Sequence, residues 1–152
     1  LWSSNYVRAI STAKYIAKEN NIEINISSKL NERKLGDLET LKEMAKNKKN
    51  SYTTEQLLDR KLKNKDGESC EEVSKRMKEK IQDIVEKESE NIAIVSHGAA
   101  IKFYLSNYCE IDEKINFIYN NEIIIKENLN SPDVIELTFI NNKLNNIKHI
   151  EA

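Results

Sequence analysis

The 152-residue sequence contains few cysteine, proline and glycine residues and no long apolar run. It has one proline, three glycines and two cysteines. Cys70 and Cys109 lie far apart in the chain and match no metal-ligand spacing, so we expect two reduced thiols rather than a disulfide or a zinc site. No apolar run approaches the roughly 20 residues of a membrane span, and the first residues lack the zones of a signal peptide. These absences predict a soluble, cytoplasmic protein with no membrane partner.

The sequence also has no excess of positive or negative charge. The chain has 24 Lys and Arg residues against 25 Asp and Glu residues, a formal net charge of -1 at pH 7. A balanced chain gives no reason to expect nucleic acid or an anionic membrane as a partner. The length and the 39% hydrophobic content fit a single domain over residues 1–152, with one core of ordinary size.

What the sequence does contain is apolar periodicity. Tyr6, Ile10, Ala13 and Ala17 recur at helical intervals and predict a first helix to about Glu19. The pattern further predicts a strand at 22–26, two exposed helices within 38–65, a helix at 69–87, a strand at 92–95, helices at 99–107 and 111–119, and strands at 123–125, 134–140 and 144–150. This order predicts a three-layer α/β domain, with a mostly parallel sheet flanked by helices and an antiparallel edge. The polar segment 38–65 is interpreted as a helical lid or insertion, or as a solvated surface without a role.

The segment 91–100 is the most informative stretch. Residues 92–95 form a continuous apolar run, as expected for a central strand covered on both faces, and a helix is predicted from 99. His97 would then stand at the carboxyl edge of the sheet, where a helix N-terminus offers free N–H groups to anions. On this segment alone an equal alternative is that Ser96 caps the helix and His97 is a linker residue without function.

Four short motifs follow one another along the chain. They are an arginine-bearing segment Ser3 to Ala13, an acidic loop Leu30 to Glu39, a Gly-Glu-Ser turn Asp66 to Ser69, and a histidine segment Val95 to Gly98. Together and in this order they resemble the histidine phosphatase superfamily, which includes the cofactor-dependent phosphoglycerate mutases and many small phosphomonoesterases. The resemblance covers residues 1 to about 105 and implies a phosphoglycerate mutase-like fold.

The resemblance implies a phosphoryl-transfer site with Arg8, Glu32 and His97 as catalytic residues. The guanidinium of Arg8 is a rigid fork of donors that matches phosphoryl oxygens. Glu32 would be the general acid, because a bound phosphate would keep a proton available for the leaving alkoxide. His97 would donate to the phosphoryl oxygens as their charge develops. The residues expected to contact the phosphate are Arg8, His97, Ser4 and Gly98, and no metal or cofactor is implied.

Each residue also has a plainer interpretation. Arg8 alone would be an exposed arginine on an amphipathic helix, and Glu32 would be half of a surface pair with Arg33 or Lys34. Glu39 is the second candidate for the general acid, because the family often has an acidic residue after this glycine.

The nucleophile of the family has no counterpart in this sequence. It is a histidine in an Arg-His-Gly motif at the end of a strand, and the other histidine here, His149, is flanked by neither residue and is predicted to lie at a surface or edge. The chain also opens with Leu1 and Trp2, as though a strand had been cut. We therefore expect an N-terminally truncated domain that holds half an active site, and an exposed edge that favours a homo-oligomer.

These observations predict a phosphomonoesterase that acts on a small phosphorylated metabolite through a phosphohistidine intermediate in the complete protein, with this chain alone inactive. One alternative is a non-catalytic module that binds or senses a phosphate ligand. A second alternative is a phosphoglycerate mutase, although segment 38–65 lacks a dense basic cluster for a second phosphate apart from Lys46, Lys48 and Lys49.

Overall fold

The computed structural model describes residues 1–88 and 91–152. Three short parallel strands form its first sheet, in the order β2-β1-β3: β1 (Trp2–Ser3), β2 (Asn25–Ile26) and β3 (Ile94–Val95). Because all three strands run in the same direction, their carboxyl ends meet at one edge of the sheet. This edge receives Ser4 after β1, the loop to Glu32 after β2, and His97 after β3.

Five helices accompany the strands. They are α1 (Val7–Asn20), α2 (Leu38–Ala45), α3 (Tyr52–Leu58), α4 (Cys70–Lys87) and α5 (Gly98–Leu105). Helix α4 begins with a capping box in which Ser69 and Glu72 satisfy each other's backbone N–H groups, the arrangement that the Ser69-x-x-Glu72 spacing predicts. The polar segment 38–65 forms two helices, as predicted; α2 buries no residue, whereas α3 buries Gln56 and Leu57.

The remaining strands are antiparallel and form two sheets of their own. One contains β4 (Glu110–Ile111), β5 (Phe117–Tyr119) and β6 (Glu122–Ile125), and the other is the hairpin of β7 (Val134–Ile140) and β8 (Lys143–Ile150). Asn141 and Asn142 close the hairpin with φ values of 50° and 62°, the left-handed conformation that a tight two-residue turn requires. Within the described residues no helix is long and apolar enough to cross a membrane.

The core joins the helices to the late strands. Its buried side chains include Val73 and Met77 of α4, Phe103 of α5, Phe117 of β5 and Ile147 of β8. Helices α4 and α5 pack together within this core, so α5 and the histidine before it are fixed by apolar burial rather than by local propensity.

The α/β class is confirmed, and several details differ from the sequence prediction. The strands predicted at 22–26 and 92–95 are limited to Asn25–Ile26 and Ile94–Val95. The segment 111–119 is not a helix, because the Asp112 carboxylate accepts hydrogen bonds from the N–H groups of Lys114 and Asn116 and closes a turn between β4 and β5. Strand β3 lies at the edge of its sheet beside β1 and is only half-buried, whereas a central strand was expected. The antiparallel strands form two whole sheets rather than one edge.

Candidate active site

Arg8 and His97 meet at the carboxyl edge of the parallel sheet. The Arg8 Nε–H donates a hydrogen bond to His97 Nδ1 at 3.1 Å. Arg8 belongs to the first turn of α1, and His97 is the residue immediately before α5, so the two helix starts bring the side chains together. His97 is 7% exposed. Burial, and then the charge of Arg8, lower the pKa of its imidazole and favour the neutral ring.

The buried side of the His97 ring faces Ser4. His97 Nε2 lies 2.7 Å from Ser4 Oγ, and Ser4 is completely buried. A guanidinium N–H can only donate, so Nδ1 must accept from Arg8, and the proton of the neutral ring is therefore on Nε2. The Nε2–H donates to Ser4 Oγ, which also accepts from the backbone N–H of Tyr6 at 3.3 Å. Ser4 thus lies behind the histidine rather than in the opening of the site.

Tyr6 is a member of the site that the sequence analysis assigned only to an apolar helix face. Its ring centroid lies 5.1 Å from that of His97, and the Arg8 Cζ lies 5.0 Å from the centroid of the Tyr6 ring. A cation over an aromatic face is attracted by the ring quadrupole, so Tyr6 helps to orient both groups. The available signal was an aromatic residue two positions before the arginine of the motif.

The Glu32 carboxylate lies at the N-terminus of α5. Its Oε1 accepts from the N–H groups of Arg33 at 2.9 Å and Ala100 at 3.0 Å, and its Oε2 accepts from the N–H of Ala99 at 3.3 Å. These are the free donors with which a helix N-terminus binds anions. The structure therefore brings Glu32 beside His97, and its described partners are backbone groups rather than the side chains of Arg33 or Lys34.

A pocket of about 390 Å³ opens in front of these groups and is lined by Tyr6, Arg8, Glu32, Arg33, Lys34 and Leu35. Gly98 is exposed at the start of α5, and a Cβ built on it meets no atom within 4 Å. Glu39, the second candidate acid, is exposed in the first turn of α2 and does not line this pocket.

Arg33 extends the pocket toward α3. Its guanidinium donates to Thr53 Oγ1 at 2.8 Å and lies between the rings of Tyr52 and Phe103, at 5.7 Å and 5.5 Å from their centroids. Burial lowers the pKa of Arg33, and burial together with the charge of Arg33 lowers the pKa of Lys102 on α5. Arg33 and its neighbour Lys34 give the pocket two basic side chains on this side.

Arg76 and Glu68 hold the loop that carries Glu32. Arg76, on α4, donates to the carbonyl oxygens of Lys29, Asn31 and Glu32 at 2.8, 2.9 and 3.3 Å, and it forms an ion pair with Glu68 at 2.8 Å. Burial alone would raise the pKa of Glu68, but the hydrogen bonds from Arg76 and from the loop backbone outweigh it and lower the pKa. The Gly-Glu-Ser turn is therefore a support for the acidic loop.

His149 lies outside this site. It is on β8, where its Nε2 lies 3.0 Å from Asp133 Oδ2, and both side chains are largely buried. Of the residues described, no group of three His, Cys, Asp or Glu side chains is arranged to hold a metal ion.

Comparison with known proteins identifies a family to which the chain is similar. The family model of the histidine phosphatase superfamily, branch 1, matches residues 1–122. No curated protein matches the chain. Similar solved structures include a mycobacterial glucosyl-3-phosphoglycerate phosphatase in complex with inorganic phosphate, at 18% identity and a TM-score of 0.61, covering 79% of this chain and 65% of that one.

Two further similar structures are named mycobacterial hydrolases. Hydrolase 2 has 18% identity and a TM-score of 0.60, and the match covers 79% of this chain and 57% of the hydrolase. Hydrolase 1 has 22% identity and a TM-score of 0.57, and the match covers 67% of this chain and 53% of the hydrolase. The chain thus spans between about half and two thirds of the length of these structures. With its motifs, its fold and a family match from residue 1 to residue 122, the chain belongs to the histidine phosphatase superfamily.

Proposed function

We propose that Arg8, Glu32 and His97 form the phosphoryl-binding part of a phosphomonoesterase site. In the complete protein this site would hydrolyse a small phosphorylated metabolite in the cytoplasm, through a phosphohistidine intermediate. The observation that supports this proposal most is the meeting of these three side chains at the carboxyl edge of the parallel sheet: Arg8 and Glu32 line the pocket, and His97 is bound to Arg8 and lies just before the helix whose N-terminus Glu32 caps. We favour a phosphatase over a mutase because segment 38–65 lacks a dense basic cluster for a second phosphate apart from Lys46, Lys48 and Lys49.

The binding step uses donors that already face the pocket. In the free chain Arg8 donates to His97 through Nε, and a bound phosphoryl group would draw the guanidinium to itself and be clamped through two of its N–H groups. The open space beside Gly98 gives a third phosphoryl oxygen access to the first turn of α5. The positive charges of Arg33 and Lys34 in the pocket wall favour an anionic substrate.

Glu32 would change partners during the reaction. A phosphoryl oxygen at the start of α5 competes for the N–H groups of Ala99 and Ala100 that Glu32 now occupies. The displaced carboxylate would take up a proton from solvent, favoured by the adjacent phosphoryl charge, and would then turn to the leaving oxygen and donate that proton there. The same carboxylate would hold the donors in place while the pocket is empty.

The nucleophile of this proposal is not among the 152 residues. His97 is occupied by Arg8 and Ser4, and His149 is paired with Asp133 on the hairpin. Covalent catalysis replaces one difficult displacement with two easier ones, so without its nucleophile the chain would bind phosphate and turn over no ester. The same observation favours a second candidate, a non-catalytic module that binds or senses a phosphate ligand.

Titration of the 152-residue chain with inorganic phosphate tests the binding proposal. We expect Arg8→Ala to weaken phosphate binding by about tenfold or more, because a charge-assisted bidentate contact is lost. Lys29→Ala is the matched control, since Lys29 forms only an exposed ion pair with Glu79 and lies outside the pocket. Equal phosphate affinity in all three proteins would overturn the proposed site.

A further inference from the structure

Ser4 is a polar side chain of the site to which the phosphoryl-binding scheme assigns no role. It is completely buried, so it does not reach the pocket opening, yet its hydroxyl lies 2.7 Å from His97 Nε2. Its neighbour Ser3 is equally buried, but the Ser3 hydroxyl donates to the backbone carbonyl of Ser4 instead. The two adjacent serines therefore have different partners, and Ser4 is the one bound to the histidine.

The partner of one imidazole nitrogen decides the state of the other. A neutral ring carries one N–H and one lone pair, and a hydrogen-bond acceptor beside one nitrogen retains the proton there. In this site Ser4 Oγ receives the Nε2–H, and the lone pair on Nδ1 faces Arg8. Tyr6 reinforces the arrangement, because its backbone N–H also donates to Ser4 Oγ and holds the hydroxyl oxygen toward the ring.

We propose that Ser4 is a positioning residue, whose hydroxyl acts together with the Arg8 N–H to keep the imidazole proton of His97 on Nε2, so that Nδ1 is the nitrogen that serves the phosphoryl group. The phosphoryl part of this inference rests on the proposed function. The tautomer is a property of the free chain and stands independently of it.

The proton balance of ligand binding follows from this arrangement. When a phosphoryl group draws the Arg8 guanidinium to itself, Nδ1 loses its donor and can face a phosphoryl oxygen only by taking up a proton. That proton comes from the monoanionic form of the phosphate or from solvent, and the Nε2–H remains with Ser4. The ring then donates from both nitrogens, and no proton has to leave the buried side of the site.

The imidazole ¹⁵N resonances of the wild-type chain test the tautomer directly, at a pH where the ring is neutral. We expect Nε2 to be the protonated nitrogen and Nδ1 the one with the lone pair. Ser4→Ala should raise the fraction of the opposite tautomer while the remaining Arg8 N–H limits the change, Ser4→Thr should restore the wild-type pattern, and Ser3→Ala should leave it unchanged. A wild-type ring with its proton on Nδ1 would overturn the proposal, and this result needs no variant to fold.

Turnover of p-nitrophenyl phosphate by the protein expressed from its complete coding sequence tests the consequence. We expect Ser4→Ala to lower kcat by about tenfold with little change in KM, since the lost interaction orients a group that acts in the transition state. Unchanged kcat together with an unchanged tautomer in Ser4→Ala would overturn the positioning role. If Ser4→Ala changes the tautomer population but neither the wild type nor any variant turns over substrate, the proposed function fails while the positioning role stands.

Discussion

His97 is the residue on which the site depends most, because charged groups from three elements act on it. Arg8 approaches from α1, Glu32 from the loop after β2 and Arg76 from α4, while the Tyr6 ring packs beside it. Burial and Arg8 lower its pKa, Glu32 opposes them, and Arg76 adds to the lowering. The ring is therefore neutral in the free chain at neutral pH and ready to take up a proton when an anion neutralises Arg8.

The lowered pKa predicts a pH dependence of folding. Between the folded pKa and the usual value of 6.5 the unfolded chain binds more protons at this residue, so stability is lost as the pH falls below 6.5. We expect the free energy of unfolding, measured with urea at pH 7.5 and pH 5.5, to fall more in the wild type than in His97→Gln. The same fall in both proteins would show that His97 is not the buried neutral group described above.

If Glu32 is the general acid, the loss of turnover on its substitution should depend on the leaving group of the substrate. In the protein expressed from its complete coding sequence, Glu32→Gln should lower turnover of alkyl phosphates far more than turnover of p-nitrophenyl phosphate, because a good leaving group needs little protonation. Glu39→Gln is the matched control, since Glu39 is exposed and outside the pocket. Equal losses on both substrates would mean that Glu32 positions donors rather than protonates the leaving group, and Glu39 would become the candidate acid.

At the scale of elements, two glycine turns and one arginine position the acidic loop. Gly36 has a φ of +78°, and a Cβ there would overlap the backbone of Lys65 and Gly67. Gly67 in turn packs against the backbone of Leu35, so the two motifs touch through their glycines. Arg76 then ties this pair of turns to α4 through the carbonyl oxygens of the loop.

Substitution by alanine should affect stability at Gly36 and phosphate binding at Gly98. Gly36→Ala should lower the free energy of unfolding by about 1–3 kcal/mol, because alanine must adopt a strained left-handed conformation against backbone atoms. Gly98→Ala should cost no stability, since it lies in a helix with open space around it, but it should weaken phosphate binding several-fold if the phosphoryl group approaches there. Chemical denaturation and phosphate titration of both variants check this, and a stable Gly36→Ala would contradict the packing described.

The elements that the sequence alone predicts correctly are those with strong local patterns. The capping box of Ser69, the apolar faces of α1 and α4 and the alternation of β7 and β8 are all local patterns, and the structure follows them. The segment 111–119 was misassigned because one turn at Asp112 overrides its helical spacing. The supporting roles of Ser4, Tyr6 and Arg76 are contacts between distant segments, and no local pattern carries them.

At the scale of the whole molecule, the site lies where an early sheet and a late helix come together. Residues 1–32 supply β1, α1, β2 and the acidic loop, and β3 and α5 bring His97 to them from about 65 residues further on. Helix α4 packs on α5 and also holds the loop through Arg76, so the core fixes the distance between the two halves of the site. The groups proposed to bind the phosphoryl group are thus held near one another by the fold, and such preorganisation is what the proposed electrostatic role requires.

The central claim is that this chain supplies the phosphoryl-binding groups of a phosphatase site whose nucleophile is not among its 152 residues. Its most direct test compares p-nitrophenyl phosphate hydrolysis by this chain and by the protein expressed from its complete coding sequence, each as wild type, Arg8→Ala and His97→Ala. We predict background rates for the chain, and turnover by the complete protein that both substitutions abolish. Hydrolysis by the chain alone that His97→Ala abolishes would make His97 the nucleophile and contradict the account.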